Sequence, residues 1–233
     1  MTLLEGILEA AKLVITLDPA MMQIIFLSLQ VSTSAVIIAS LLGIPYGAYL
    51  GLRTVAKVRW QTRITYTFMG FPPVVAGLVV YLLLSSSGPF GVLDLIFSPA
   101  AMISVQALLA LPIITGLSMV GIRERDNEFR DTAISLGANP MQVAVTVVKE
   151  ARYAIMGAVV AGFGRIIAEV GAVMMVGGNI EGHTRVMTTA IVLETRKGNF
   201  ELAIGLGLVL MAIAFFINSL LYKIQNGGSS YEK

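Results

Sequence analysis

Between Asp18 and Arg53 the chain carries no Asp, Glu, Lys or Arg, and the same is true between Arg63 and Asp94 and between Asp94 and Arg123. About 20 consecutive apolar residues suffice to cross the hydrocarbon core of a bilayer, so each run is long enough for a span. A soluble domain could hold such runs only by exposing large apolar patches. Composition points the same way: 56% of the 233 residues are hydrophobic and 13% charged, with a mean hydropathy of +0.84. The fold class is therefore an all-α polytopic membrane protein. The net charge of +2 is spread among loops and not gathered into a nucleic-acid-binding patch. The absence of Cys removes disulfides, thiolate metal sites and cysteine nucleophiles.

Residues 1–17 place Leu3, Leu4, Ile7, Leu8, Ala11, Val14 and Ile15 on one helical face, interrupted by Glu5, Glu9 and Lys12. This segment reads as an amphipathic helix on or beside the membrane, with a short extra span as the alternative. Asp18-Pro19 ends it. Span 1 covers about Met21–Leu52, with Gly43, Gly47 and Gly51 at steps of four, a spacing that lets two helix backbones approach closely. Arg53, Lys57, Arg59 and Arg63 follow, with Trp60 as an interfacial anchor. Span 2, about Ile64–Leu84, is interrupted by Pro72 and Pro73, which remove backbone donors. That break is either a kink or a non-helical hinge beside a pathway, since freed carbonyls in a membrane must be covered by protein or water. Ser85–Phe97 is a turn-rich loop, and span 3 is about Pro99–Ile122.

Span 4, about Tyr153–Val176, holds the only charges deep in a span, Arg165 and Glu169. Four residues apart on one helical face, they can pair. Intramembrane charges usually face a bundle interior or an aqueous path, so the pair is either packing or part of a gate. Gly177–Asn199 is a polar connection in which Val186–Thr195 forms a short helix, and its lone His183 is a solvated loop residue. Span 5 is about Phe200–Tyr222, and a polar tail follows.

Between spans 3 and 4 lies the longest charged, non-spanning segment, Glu128–Arg152. Phe129, Thr132, Ala133 and Leu136 fall at i, i+3, i+4 and i+7, giving a short helix one mostly apolar edge. Gly137 ends it. Asn139 then serves as an N-cap with Pro140 at the first helical position and Gln142 three residues after the cap. This helix–Gly–helix elbow is suited either to docking in water or to lying on the membrane surface. The charge bias helps to place it. The two central basic loops carry four Lys/Arg (Arg53, Lys57, Arg59, Arg63) and five (Arg123, Arg125, Arg130, Lys149, Arg152), and the tail adds Lys223 and Lys233. The other side has Lys12, Arg185, Arg196 and Lys197. Positive loops mark the cytoplasmic side, so five spans run N-terminus out and C-terminus in, with the elbow in the cytoplasm.

Asp131-Thr132-Ala133 followed by Gly137, between the third and fourth of five spans, resembles the EAA loop of ABC importer permeases of the type I fold. Asp131-Thr132 stands where Glu-Ala is usual, and Val147-Val148-Lys149-Glu150 where an Ile-x-Leu-Pro ending is usual. Met69–Val75 through Gly88-Pro89-Phe90-Gly91, and Gly164–Ala172 followed by Gly177-Gly178-Asn179-Ile180, are similar to molybdate and tungstate permeases. The run Val173–Ile180 with Thr188–Thr195 is most similar to the tungstate branch.

The resemblance implies a transmembrane domain over residues 20–223, preceded by the N-terminal helix (1–19) and followed by a short cytoplasmic tail (224–233). It implies a plasma or inner membrane location and two copies of this permease. It also implies a cytoplasmic ABC ATPase homodimer and an extracytoplasmic oxyanion-binding protein. Phe129, Asp131, Thr132, Ala133, Leu136 and Gly137 would couple to the ATPase. Pro72, Pro73, Arg165, Glu169 and Gly171 would line the path or its gate, passing tungstate, or alternatively molybdate or sulfate. The chain has no G-x-x-x-x-G-K-[ST] loop, so ATP-Mg belongs to the partner, and no cofactor, metal or catalytic residue is expected here. A secondary transporter would also show broken spans and buried charges but needs no ATPase. A membrane enzyme is argued against by the absence of Cys, by a single His placed in a loop and by the lack of an acidic pair within the spans.

Overall fold

The computed structural model of the chain describes residue 16 and residues 18–227. The N-terminal helix expected over residues 1–17 and the tail beyond residue 227 lie outside the described residues. Among those described are nine α-helices and two short 3₁₀ turns, with no strand: α1 (Pro19–Gly51), α2 (Arg59–Met69), α3 (Pro73–Leu84), α4 (Pro99–Ser135), α5 (Pro140–Glu150), α6 (Arg152–Ile167), α7 (Gly171–Gly177), α8 (Met187–Lys197) and α9 (Phe200–Gly227). The expected all-α polytopic class holds. Among the described residues three helices are long and apolar enough to cross a membrane, namely α1, α4 and the first 21 residues of α9. The number rises to five if each of two bent pairs, Val55–Met69 with Pro73–Leu84 and Arg152–Ile167 with Gly171–Gly177, is one span.

Asp18-Pro19 starts α1. Asp18 Oδ1 accepts from the Met21 N–H at 2.9 Å, and Pro19 takes the first helical position. Arg59 and Arg63, expected in a loop, ride on the first turns of α2. Span 3 does not stop near Ile122. With 37 residues, α4 is about 55 Å long at 1.5 Å per residue, far more than the ~30 Å hydrocarbon core. The segment Arg123–Ser135 holds no Gly or Pro, and Arg125–Glu128 (2.6 Å) and Asp126–Arg130 (2.7 Å) pair across its turns. The first half of the elbow is therefore the end of this span helix, not a separate helix. Span 4, expected unbroken over Tyr153–Val176, stops at Ile167 and restarts at Gly171.

The chain packs as two units. The first comprises residues through Ala35, Pro72–Gln106 and Gly164–Ile217; the second comprises Val36–Phe71, Ala107–Phe163 and residues from Asn218 onward. In the first unit α3 lies against α7 so closely that a Cβ on Gly77 would sit 2.9 Å from Ala172 Cα. Several buried polar groups of this unit are paired internally, as a membrane interior favours. Ser28 Oγ donates to Ile24 O (2.7 Å) and accepts from the Met187 N–H (2.8 Å), while Gln106 Nε2 donates to Ile166 O (3.2 Å).

In the second unit the Gly43–Gly47–Gly51 stripe packs against α4, as its spacing predicts. A Cβ on Gly47 would lie 2.7 Å from Thr115 O, and one on Gly51 would lie 2.9 Å from Ile122 Cγ2. Beside it Ile122, Val143, Val147 and Ala151 form a buried core onto which Ala48, Leu52 and Ile155 close.

Candidate functional site

The elbow is a helical hairpin fixed at its turn by backbone geometry. Gly137 adopts φ +83°, the left-handed conformation that glycine takes at least cost. Its N–H donates to Ile134 O (2.9 Å), and the Ala138 N–H reaches back to Ala133 O (3.0 Å). This pair of bonds is a Schellman cap, which satisfies carbonyls left open at a helix end. Two residues on, Asn139 Oδ1 accepts from the Gln142 N–H (2.9 Å) and the Asn139 N–H donates to Gln142 Oε1 (2.8 Å). The capping box expected from Asn139-Pro140-x-Gln142 is complete.

The hairpin sorts the elbow residues into two sets. Phe129 and Ala133 pack inward against the Ile122–Val143–Val147–Ala151 core. Asp131, Thr132 and Gly137 are exposed, and Leu136 is 83% exposed. The apolar edge over Phe129–Leu136 is thus split, because inward packing claims the two residues nearest α5. Three further apolar side chains stand out in the open: Ile134, Met141 and Val145. Sequence reasoning missed them, although α5 carried a signal. Met141 and Val145 recur at i and i+4 on one side, Val143 and Val147 on the other, so the helix is apolar on two faces and needs cover on both.

In the first unit the starts of α3 and α7, the helices that follow the two breaks, lie together. After Met69, Gly70 and Phe71 donate to Thr67 O (3.2 Å) and Phe68 O (3.0 Å), closing the end of α2 by shorter turns. Pro72 is extended, with φ −63° and ψ 124°, and Pro73 begins α3. Pro72-Pro73 is thus a true interruption, not a kink within a continuing helix. In the other break Arg165 Nη1 and Glu169 Oε2 pair at 3.0 Å, as their spacing predicts, though the helix ends between them. Glu169 is buried and Arg165 is 42% exposed at its side chain. Glu169 also accepts from the Ala172 N–H at 3.3 Å, and its carbonyl accepts from Thr188 Oγ1 at 2.9 Å. These bonds hold the non-helical segment and supply the start of α7. A Cβ on Gly171 would touch Val74 Cγ2 at 3.4 Å and Glu169 Oε1 at 3.7 Å. Of the residues expected along the path, Gly171 and Glu169 lie beside Val74, the chain neighbour of Pro73, and Arg165 pairs with Glu169.

Away from the breaks, Glu194 accepts from Lys197 Nζ (2.9 Å) and Asn199 Nδ2 (3.0 Å). The Lys197 hydrogen bond is the largest cause holding its carboxyl below the ordinary carboxylate value. No group of three or more His, Cys, Asp or Glu able to hold a metal occurs among the described residues.

Known proteins are similar to this chain in sequence along most of its length. The chain is 42% identical over 221 residues to the tungstate uptake system permease protein TupB of Peptoclostridium acidaminophilum, covering 95% of this chain and 97% of that protein. It is 44% identical over 198 residues to a probable anion ABC transporter permease protein of Haloferax volcanii, covering 83% and 85%. It is 37% identical over 221 residues to the tungstate uptake system permease protein TupB of Campylobacter jejuni, covering 95% and 92%. Residues 43–226 match the family described as the binding-protein-dependent transport system inner membrane component. A multi-pass, all-helical chain that matches over most of its length belongs to that family.

Proposed function

We propose that this chain is the membrane-spanning subunit of an ATP-driven importer that passes tungstate from an extracytoplasmic binding protein into the cytoplasm. The observation that carries the coupling half of this reading is the elbow. A hairpin locked by a Schellman cap and a capping box holds Leu136, Ile134 and Met141 outward, and apolar side chains so placed call for a covering partner. That partner is a cytoplasmic ABC ATPase dimer serving two copies of this permease, with ATP-Mg bound on the ATPase. The basic loops argue for the N-out, C-in orientation that puts the elbow in its compartment. Because α4 runs without a break into the elbow, motion of the ATPase would act directly on a span. A bundle with two openings then alternates, each ligand acting only through its differential affinity for the two states.

The names of the two tungstate uptake relatives favour tungstate as cargo, with molybdate and sulfate as the alternatives. An anionic cargo also suits the second break. The half-exposed Arg165, paired with the Glu169 that caps α7, is a cationic group that an anion could approach. Glu169 cancels much of that cationic field, which suits a route that must release what it accepts.

The test is ATP hydrolysis by the lipid-reconstituted complex with its loaded binding protein, using tungstate, molybdate and sulfate in turn. Stimulation by tungstate at the lowest concentration, lost in Leu136→Asp, is expected. Stimulation untouched by that variant, or transport without any ATPase, would reject the reading, the latter in favour of a secondary transporter.

A further inference from the structure

In the second unit, a cleft of about 390 Å³ opens where α1 ends and the extension of α4 passes it. Arg53, Thr54, Arg123, Asp126, Asn127 and Arg130 line it, giving three fixed positive charges against one carboxylate. That carboxylate is already engaged, since Arg130 Nε and Nη2 reach Asp126 Oδ2 and Oδ1 at 2.9 and 2.7 Å. Arg53 and Arg123 have no carboxylate within ion-pairing distance among the described residues. Part of the cluster has a structural task. Arg123 Nη2 donates to Leu50 O (2.9 Å) and Arg130 Nη2 to Leu52 O (3.3 Å), closing the carbonyl end of α1.

Capping leaves much of the cluster unexplained. It uses one of the five N–H donors of Arg123, whose Nε is buried and has no partner. Arg53 caps nothing; its guanidinium lies over the Tyr49 ring at 5.4 Å, an arrangement that leaves its edge donors open. A net positive cleft with unused planar guanidinium forks is the chemistry that recognises a phosphate group bidentately. Its place fits as well. It sits at the end of a 33-residue apolar helix and four residues after the stacked Tyr46–Tyr49 pair ends, the depth at which lipid headgroups and aromatic belts meet.

We infer that this cleft binds a phosphate group, supplied either by an anionic phospholipid headgroup or by free phosphate from solution. This inference does not rest on the transport reading, and the experiment below reads binding alone.

The full-length permease, purified and delipidated in detergent, is titrated with phosphatidylglycerol or phosphatidylcholine and observed by native mass spectrometry. Inorganic phosphate is titrated separately by calorimetry at constant ionic strength. One phosphatidylglycerol per chain bound in preference to phosphatidylcholine, and not displaced by phosphate, identifies the lipid as the source. Saturable binding of inorganic phosphate identifies the free anion. In either case Arg53→Gln, a change at an exposed residue that leaves both caps of α1 intact, should weaken binding roughly tenfold or more. Arg123→Gln should do the same, whereas Arg125→Gln, on the same helix but paired with Glu128, should not. Absence of both ligands from the wild type, or equal affinity in Arg53→Gln and wild type, overturns the assignment.

Discussion

Gly137 offers a clean separation of backbone strain from packing. Its φ is +83°, and a Cβ built there meets nothing within 4 Å, so substitutions act through the backbone alone. Alanine in the left-handed region costs about 1–2 kcal/mol. Asparagine costs less, because its side chain hydrogen-bonds locally and it is tolerated at this cap position. Proline cannot adopt a positive φ and lacks the N–H that donates to Ile134 O, so it loses a bond of about 1 kcal/mol as well. The strain enters global stability because the hairpin shares the Ile122–Val143–Val147–Ala151 core. For a chain of this size each 1 kcal/mol shifts the melting temperature by about 2–4 °C. Gly137→Ala should therefore melt about 2–8 °C below wild type in a thermal scan of the detergent-purified protein, with Gly137→Asn between the two and Gly137→Pro lowest. An alanine variant as stable as wild type, or an asparagine variant below alanine, would refute the claim that the left-handed turn is what holds the elbow.

Three other predictions follow from the contacts. Gly47→Val should destabilise by about 1–3 kcal/mol, since its Cβ would lie 2.7 Å from Thr115 O; denaturation of the purified protein checks this, and an unchanged midpoint would mean that α1 and α4 part without cost. Arg165→Ala strands a buried carboxylate and should cost about 1–3 kcal/mol, less than a fully buried pair because Arg165 is half-exposed. Adding Glu169→Gln should recover part of that loss, and strict additivity in the double-mutant cycle would show the pair to be uncoupled. Glu194, held below its ordinary value of 4.5, binds protons less readily folded than unfolded, so its contribution is present above pH 4.5 and lost as pH falls through the folded value. The stability gap between wild type and Glu194→Gln should close as melts are taken from pH 7 down to below 4.5; a gap independent of pH would exclude that ionisation.

Much of this was legible in the residues. The uncharged runs marked the spans, the four-residue glycine stripe foretold the α1–α4 contact, and Asn139-Pro140-x-Gln142 wrote its own cap. Other features depend on partners distant in sequence. The break at residues 168–170 is held by Thr188 Oγ1 on the Glu169 carbonyl and by the Ala172 N–H on the Glu169 carboxylate, so Arg165 and Glu169 at helical spacing read as one unbroken helix. The charged stretch after Ile122 read as the end of the span because charge marks the membrane boundary, whereas no Gly or Pro interrupts the helix before Gly137. Phe129 and Ala133 could be told apart from Leu136 only once α5 was known to fold back over them.

The central claim is that the outward elbow residues sit against an ATPase, and the absence of native cysteine makes cross-linking the direct test. Single cysteines at Leu136 and Met141, both exposed, and at inward-packed Ala133 would each be paired with cysteines scanned across the ATPase surface in the assembled complex. Rapid cross-linking from positions 136 and 141, altered by ATP and weak from position 133, is the predicted result. Cross-linking absent from 136 and 141 in a complex that still hydrolyses ATP in response to loaded binding protein would contradict the account.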